Sequence, residues 1–395
     1  MTKSCLTLQN NLCHVILSLL LLFFTKQNVA KNVVSFGARP NGRSDSTQAF
    51  QKAWSWACGS AKPMTITVPR GRFVIRPITF TGPCRSRVTV AIKGTIVAPP
   101  DYRVLAQSNA WIMFYKVNGL TINGGTFDAK GKAYWSCRNH NGYCYNGARS
   151  ISLMWSNNVE MNGVTLLNSQ KMHMGVNYCN NVALKKLTIR APSGSPNTDG
   201  IHLQSSSHVS IYDSVIKTGD DCISIGAGTS NVWIQRIHCG PGHGISIGSL
   251  ANELNEEGVR NITVTNVVFL KTQNGVRIKS WSRPSNGFVQ GVTFRNIIMR
   301  QVYNPIIIDQ EYCPHYQCPP HQNTGVKIRN IKYRNIKGTS ASKVAMEFKC
   351  NPSKPCEGLK LQDIKLSFKR GSPATSHCSN ARGTSRGVVI PRSCF

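Results

Sequence analysis

Eight segments of the chain share one strand-and-turn pattern: NVEMNGVTL from Asn158, NVALKKLTI from Asn181, HVSIYDSVI from His208, NVWIQRIHC from Asn231, NITVTNVVF from Asn261, GVTFRNIIM from Gly291, GVKIRNIKY from Gly325 and GLKLQDIKL from Gly358. A turn residue opens each one, apolar residues follow at alternate positions, and a polar break precedes a second apolar pair. The starting points lie 23, 27, 23, 30, 30, 34 and 33 residues apart. Alternating β-branched residues bounded by Asn and Gly predict short strands, whereas helical repeats would space their apolar residues by three and four. Repeats of this period fold as a solenoid whose units bury their apolar faces only against their neighbours. The expected fold is all-β, a single-stranded parallel β-helix with one coil per repeat, a Val, Ile and Leu ladder inside, and coils ~4.8 Å apart.

A solenoid needs covered ends. Near the N-terminus, Asp45 and Gln48 match a capping box ahead of Ala49, Phe50, Ala53, Trp54 and Ala57, whose spacing makes one apolar helix face. That short helix is the expected plug. At the other end, the tail after Arg370 reads as irregular, with Cys378 and Cys394 placed to pin it. No linker divides the chain, so residues 31–395 are expected to form one β-helical domain.

Residues 1–30 read as a cleaved secretory signal: Lys3, the apolar run Val15 to Phe24, and a small-residue site near Val29 and Ala30. The run is too short to span a bilayer and no second one follows, so a secreted, extracellular protein without membrane attachment is expected. The whole chain carries +31; losing two of its 47 basic residues and none of its 16 acids with the signal leaves +29. Such an excess fits a polyanionic partner. Nucleic acid, anionic membrane and acidic polysaccharide all meet that description, and the signal favours the polysaccharide. Cysteine usage agrees with an oxidising compartment. Pairing close neighbours (58 with 84, 137 with 144, 222 with 239, 313 with 318, 350 with 356, 378 with 394) would make six bridges and leave Cys179 free, although sequence alone does not fix connectivity. No Cys or His cluster has zinc-ligand spacing, so neither a metal nor a cofactor is expected.

A second motif crosses the repeats: DGIHLQ from Asp199, DCISIG from Asp221, HGISIG from His243, NGVRIK from Asn274 and NPIIID from Asn304. Stacked in register, these place Asp199, Asp221, His243, Asn274 and Asn304 in one column. His202, Ser224, Ser246 and Arg277 form a neighbouring one, and Lys279 lies two residues beyond with Gln204 and Gly226. Each residue alone has an ordinary explanation, such as an Asx turn for Asp220 and Asp221 or a tight bend around His243. Turn chemistry gives no reason for acids, an imidazole and two cations to share adjacent coils of one exposed sheet. A cluster of this kind points to acid–base chemistry on an anionic substrate.

Asn197-Thr198-Asp199, Gly219-Asp220-Asp221, Gly242-His243-Gly244 and Arg277-Ile278-Lys279 resemble, in this order and spacing, the four signature segments of glycoside hydrolase family 28, the polygalacturonases. The resemblance runs from SFGARPNGRSDSTQAF at Ser35 nearly to the end, with a Cys-rich second half similar to the plant branch. It implies a right-handed β-helix and cofactor-free hydrolysis of α-1,4 galacturonosidic bonds with inversion, in a monomer of the cell wall. It also implies Asp220 as general acid, Asp199 and Asp221 as the bases that activate water, and His243 as a group that tunes or shares the acid's proton. Arg277 and Lys279 would grip the sugar carboxylate and Asn197 would fix the sugar beside the scissile bond. Asn304 stands in the column where some members carry a substrate-facing Tyr, and Tyr303 precedes it, so that contact stays unassigned.

Coil spacing does not itself choose between the ~6.5–9.5 Å carboxyl separation of inverting enzymes and the ~5 Å of retaining ones. Asp220 and Asp221 would also face opposite sides of a regular strand, so a bend at Gly219 is required if both act. Among rivals, a calcium-dependent pectate lyase would need an acidic loop that is not evident. A silent pectin binder would gain nothing from clustered acids, and a nucleic-acid binder should interleave aromatics with its basic residues.

Overall fold

The computed structural model describes residues 29–106, 108–140, 143–314, 318 and 325–395; the expected signal therefore lies outside the described residues apart from Val29 and Ala30. Those two belong to the first strand, Val29–Asn32, which pairs in parallel with Met64–Val68, so the first strand straddles the expected processing boundary. Among the described residues the chain winds into two sheets of 18 and 11 strands, parallel except for the short pairing of Ser372–Pro373, in the right-handed sense that parallel crossovers nearly always take.

The smaller sheet contains the strands Met174–Asn177, Ile201–Gln204, Ile223–Ile225, Ile245–Leu250, Asn274–Ser280, Asn304–Asp309 and Val344–Lys349 as successive neighbours. Its inward column Ile201, Ile223, Ile245, Val276, Ile306 and Met346 is in register and fully buried. Similar apolar side chains stacked coil on coil give one continuous core. Asn opens many coils because it tolerates the left-handed backbone that the bend needs, as at Asn181 (φ 57°) and Asn261 (φ 57°). The side chains then hydrogen-bond between coils: Asn181 Nδ2 donates to Asn158 Oδ1 (2.6 Å) and Asn261 Nδ2 to Asn231 Oδ1 (3.0 Å).

Three expectations change in detail. Gly291 is in register with Asn330, not Gly325, because Val292 pairs with Ile331 and Val289 with Ile328. The triplet Arg-Asn-Ile occurs twice there with starts five residues apart, and the observed pairing aligns Arg295-Asn296-Ile297 with the second one, Arg334-Asn335-Ile336. The N-terminal helix, Thr47–Cys58, buries Ala49, Phe50, Ala53, Trp54 and Ala57 as expected, but no capping box forms. Ser46 is the N-cap, so Gln48 falls one position short of the residue that reaches back; Asp45 instead accepts the Thr47 N–H at 2.9 Å. Trp54 plugs the coil end against Phe80 and Phe114, with ring centroids 5.0 and 5.8 Å away. The C-terminal tail is not irregular: Thr375–Ser379 and Ala381–Ile390 continue the parallel sheets as a last, largely exposed coil. It lacks the apolar alternation by which the inner coils announce themselves. All six neighbour pairings are disulfides, and Cys179 is buried and unpaired.

Candidate active site

Register builds the site as the column alignment predicts. Ile201 pairs with Ile223, Ile223 with Ile245, Ile245 with Val276, and Asn274 with Asn304, which stacks Asp199, Asp221, His243, Asn274 and Asn304 on consecutive coils. The outward neighbours His202, Ser224, Ser246 and Arg277 form the next column. Asp220 and Asp221 do not alternate across a strand. They sit in a bend between Lys217 and Ile223, and both line the same open cleft of about 880 Å³. Gly219 permits that bend, since a β-carbon there would lie 2.0 Å from Ser195 O, and its N–H is held by Thr198 Oγ1 at 3.0 Å.

Each buried carboxylate is held by the serine of the next coil. Ser224 Oγ donates to Asp199 Oδ2 and Ser246 Oγ to Asp221 Oδ1, both at 2.8 Å. His202 Nδ1 lies 2.8 Å from Ser224 Oγ. Burial, reinforced by the Arg149 charge, lowers the His202 pKa to about 4, so the ring is neutral near pH 6–7. The serine hydrogen already points at Asp199, which puts the His202 proton on Nδ1. Repeat-level reading found these serines and His202 in the column but assigned them no task, because their partners lie a coil away.

The three acids meet different surroundings. Burial pushes the Asp199 carboxyl well above its ordinary range, and the nearby Asp220 and Asp221 charges add to the effect. Burial acts on Asp221 in the same sense, but Lys279 and Arg277 outweigh it and hold Asp221 ionised, below the ordinary range. Lys279 Nζ donates to Asp221 Oδ2 (2.9 Å), while Arg277 donates through Nη2 to Asp221 Oδ1 (2.8 Å) and through Nε to Ser246 Oγ (2.9 Å). Asp220 is more open and pairs with His243 Nδ1 at 2.9 Å, their side chains being 18% and 38% exposed. Asn197 is exposed at the same cleft with a left-handed backbone (φ 53°).

Arg277 and Lys279 are 7% exposed each, so they form the floor of a cleft and not an open sheet surface. Both already serve Asp221, yet Arg277 keeps three N–H donors and Lys279 two for a further anion. Tyr312, which the repeat pattern could not mark because it follows the Asn304–Asp309 strand in a loop, covers them. Its ring centroid lies 5.0 Å from Lys279 Nζ and 5.8 Å from the Arg277 guanidinium carbon, with Trp281 at 5.2 Å. Asp309, in register with Lys279, adds a fourth carboxyl to the cleft, and burial raises its pKa. Asn304 lies in the cleft at its expected column position, whereas Tyr303 faces a neighbouring groove.

Ligand atoms of Asp220, Asp221 and His243 lie within 4.8 Å of one another, so the trio could approach a cation. A divalent ion would have to compete there with Arg277 and Lys279 for the two oxygens of Asp221, an arrangement that disfavours it.

Asp199 also sets a trade between stability and chemistry. Its folded pKa lies above the ordinary value of 3.8, so the folded state holds a proton that the unfolded chain releases, and stability falls as pH rises from about 4 through the native pKa. Asp199→Asn removes that cost. Thermal melts should show the variant indistinguishable from wild type below pH 3.8 and more stable by on the order of 1 kcal/mol at pH 7. A variant less stable at neutral pH would contradict the charge balance described.

Comparison with known proteins agrees with this constellation. The model of glycosyl hydrolases family 28 matches residues 58–390. A polygalacturonase of Prunus persica is 49% identical over 96% of this chain and 98% of its own. An exopolygalacturonase of Platanus acerifolia is 41% identical over 91% of this chain and 96% of its own. Among solved structures, a hyperthermoactive exopolygalacturonase from Thermotoga maritima shares the fold, with a TM-score of 0.77, 19% identity and 90% of both chains covered. With a β-helix carrying three carboxyls, a histidine and two cations on consecutive coils, and with relatives aligned over nearly its whole length, the chain belongs to glycosyl hydrolase family 28.

Proposed function

We propose that this protein is a polygalacturonase that hydrolyses α-1,4 bonds between galacturonate units of pectin, outside the cell and in the cell wall. The observation that carries the reading is the Asp221–Arg277–Lys279 knot beneath Asp199 and Asp220. It joins a charged grip for an acidic sugar to carboxyls with opposite proton affinities.

In the mechanism, Asp220 is the general acid. It is the least buried of the three carboxyls that line the cleft, and His243 beside it is hydrogen-bonded to it. Asp221, held ionised by two cations, and Asp199, once it ionises, take up the proton of the attacking water. Asp199 needs a neighbouring charge to be neutralised first. Protonation of Asp220, whose charge otherwise raises the proton affinity of Asp199, supplies that neutralisation. The free donors of Arg277 and Lys279 bind the sugar carboxylate bidentately, which a neutral glycan could not exploit. Asn197 orients the sugar at the cleft mouth. Inversion requires room for a water between acid and base, and the open cleft that Asp199, Asp220 and Asp221 line supplies it. The protein acts as a monomer without a cofactor and meets its substrate after removal of residues 1–30.

The test is release of reducing ends from de-esterified polygalacturonate by the purified secreted protein in EDTA, with absorbance near 235 nm followed in parallel. Reducing ends without absorbance, and a β-anomer seen first by proton NMR, support metal-independent inverting hydrolysis. Calcium-dependent absorbance would replace hydrolysis by elimination, and an α-anomer first would refute inversion.

A further inference from the structure

A run of closely stacked cations lies on a face that the catalytic site does not use. The strand Lys327–Ser340 of the larger sheet carries Lys327, Arg329, Lys332, Arg334 and Lys337 and no acid. In register, Lys332 lies beside Lys360, Lys337 beside Lys365 and Arg334 beside Arg295, so like charges stack on adjacent coils ~4.8 Å apart. Such neighbours repel and cost stability. No ion pair relieves them among the described residues: Arg295, Lys332, Arg334, Lys337, Lys360 and Lys365 have no acidic partner within salt-bridge distance. Arg295 Nε has no hydrogen-bond acceptor, and its guanidinium lies 5.5 Å from the ring of Trp233, itself 41% exposed.

These cations border an open groove of about 470 Å³, lined among others by Arg295, Lys332, Arg334, Lys360 and Arg386. The groove points away from the catalytic cleft. Between Lys332 and Arg334, Tyr333 turns inward and meets Phe348 of the smaller sheet across the core at 5.9 Å between ring centroids. A repulsive ladder crossing three coils, whose cations make no ion pair among the described residues even though Glu357 stands in register with Arg329, is matched by a long polymer with a regular run of negative charge. A nucleic-acid strand would call for aromatic stacking along the path, where among the described residues Trp233 alone lies against a groove cation, and a membrane would call for apolar residues that this face does not present.

We propose that this face is a second binding surface for an acidic uronan, separate from the cleft, which holds the protein on the polymer while the cleft is empty. The occupant's identity rests on the polymer class proposed for the cleft; the placement of the cations does not.

The experiment measures binding of the Asp220→Asn protein to immobilised polygalacturonate, before and after Lys332→Gln, Arg334→Gln, Lys360→Gln and Arg386→Gln are introduced together. Affinity at low salt should fall at least about tenfold, with a shallower salt dependence. The same four changes in the active protein should leave turnover of a short soluble trigalacturonate unchanged. A control removes the same charge elsewhere, at the exposed Lys52, Lys62, Arg70 and Arg76. Equal weakening by the control, or no weakening by the groove variant, overturns the proposal. Groove-dependent binding of duplex DNA as tight as that of polygalacturonate would also overturn it, in favour of a general polyanion surface. Should the fourfold variant lose its thermal transition, the single exposed changes Lys332→Gln and Lys360→Gln carry the same comparison. If trigalacturonate is not cut but groove-dependent binding persists, the catalytic reading fails and this one stands.

Discussion

Asp220→Asn is expected to lower kcat on polygalacturonate by about 10²–10⁴-fold while leaving KM and the thermal transition nearly unchanged. Asparagine keeps the shape of the side chain and a possible contact to His243 but has no acidic proton for the leaving oxygen. Little stability is at stake, because the Asp220–His243 pair is partly open to solvent, where ion pairs contribute ~0–1 kcal/mol. His243→Ala should have a smaller effect on kcat, because it removes a hydrogen-bond partner of the acid and not the acid itself. Steady-state kinetics with reducing-end detection decide the matter. A variant retaining more than a tenth of wild-type kcat would remove Asp220 from the role of acid and direct attention to Asp199, whose environment already favours the protonated form.

Asp221→Ala is expected to damage folding as well as activity. Asp221 is 1% exposed and accepts from Ser246, Arg277 and Lys279, so truncation strands two buried cations without a counter-charge. Removing one partner of a buried ion pair costs about 3–5 kcal/mol, mostly because the remaining charge stays desolvated. Denaturant unfolding near neutral pH measures the loss. Lys279→Met in the Asp221→Ala background should recover part of the stability but none of the activity, since it removes one stranded charge and also one grip on the sugar. A loss below 1 kcal/mol for Asp221→Ala would mean that water already solvates the knot. Acidification gives the same result by another route: Asp221 has a native pKa below the unfolded one, so its contribution is present above the unfolded value of 3.8 and is lost as pH falls through the native one. Asp199 has the opposite sign. The pH dependence of stability is therefore a sum of opposed terms that the two single variants separate.

Much of this site could be read from the sequence because a solenoid converts sequence period into spatial adjacency. Asp199, Asp221 and His243 are 22 residues apart at each step, and once the strand motif is aligned their neighbourhood follows without any three-dimensional model. Disulfide partners are close in sequence for the same reason, since neighbouring cysteines fall within one coil or the next, and the structure fixes their connectivity. Where the period slips, so does the reading. The doubled Arg-Asn-Ile left two registers open around Asn330, and the C-terminal coil, poor in apolar residues, looked like a loose tail.

Local sequence thus determined the β-helix, the helical plug and the column of acids, because alternation, bends and register are short-range properties repeated many times. What only the tertiary structure decided is how those residues are electrically divided. Burial of Arg277 and Lys279 in the cleft floor, their capture by Asp221, the serine of the next coil beneath each carboxylate and the Tyr312 ring over the cations all depend on loops and on depth below the surface. Proton affinity is set by desolvation and by charges within a few ångströms. Neither is a function of spacing along the chain, so the sequence could name the acids but not say which one the fold keeps protonated.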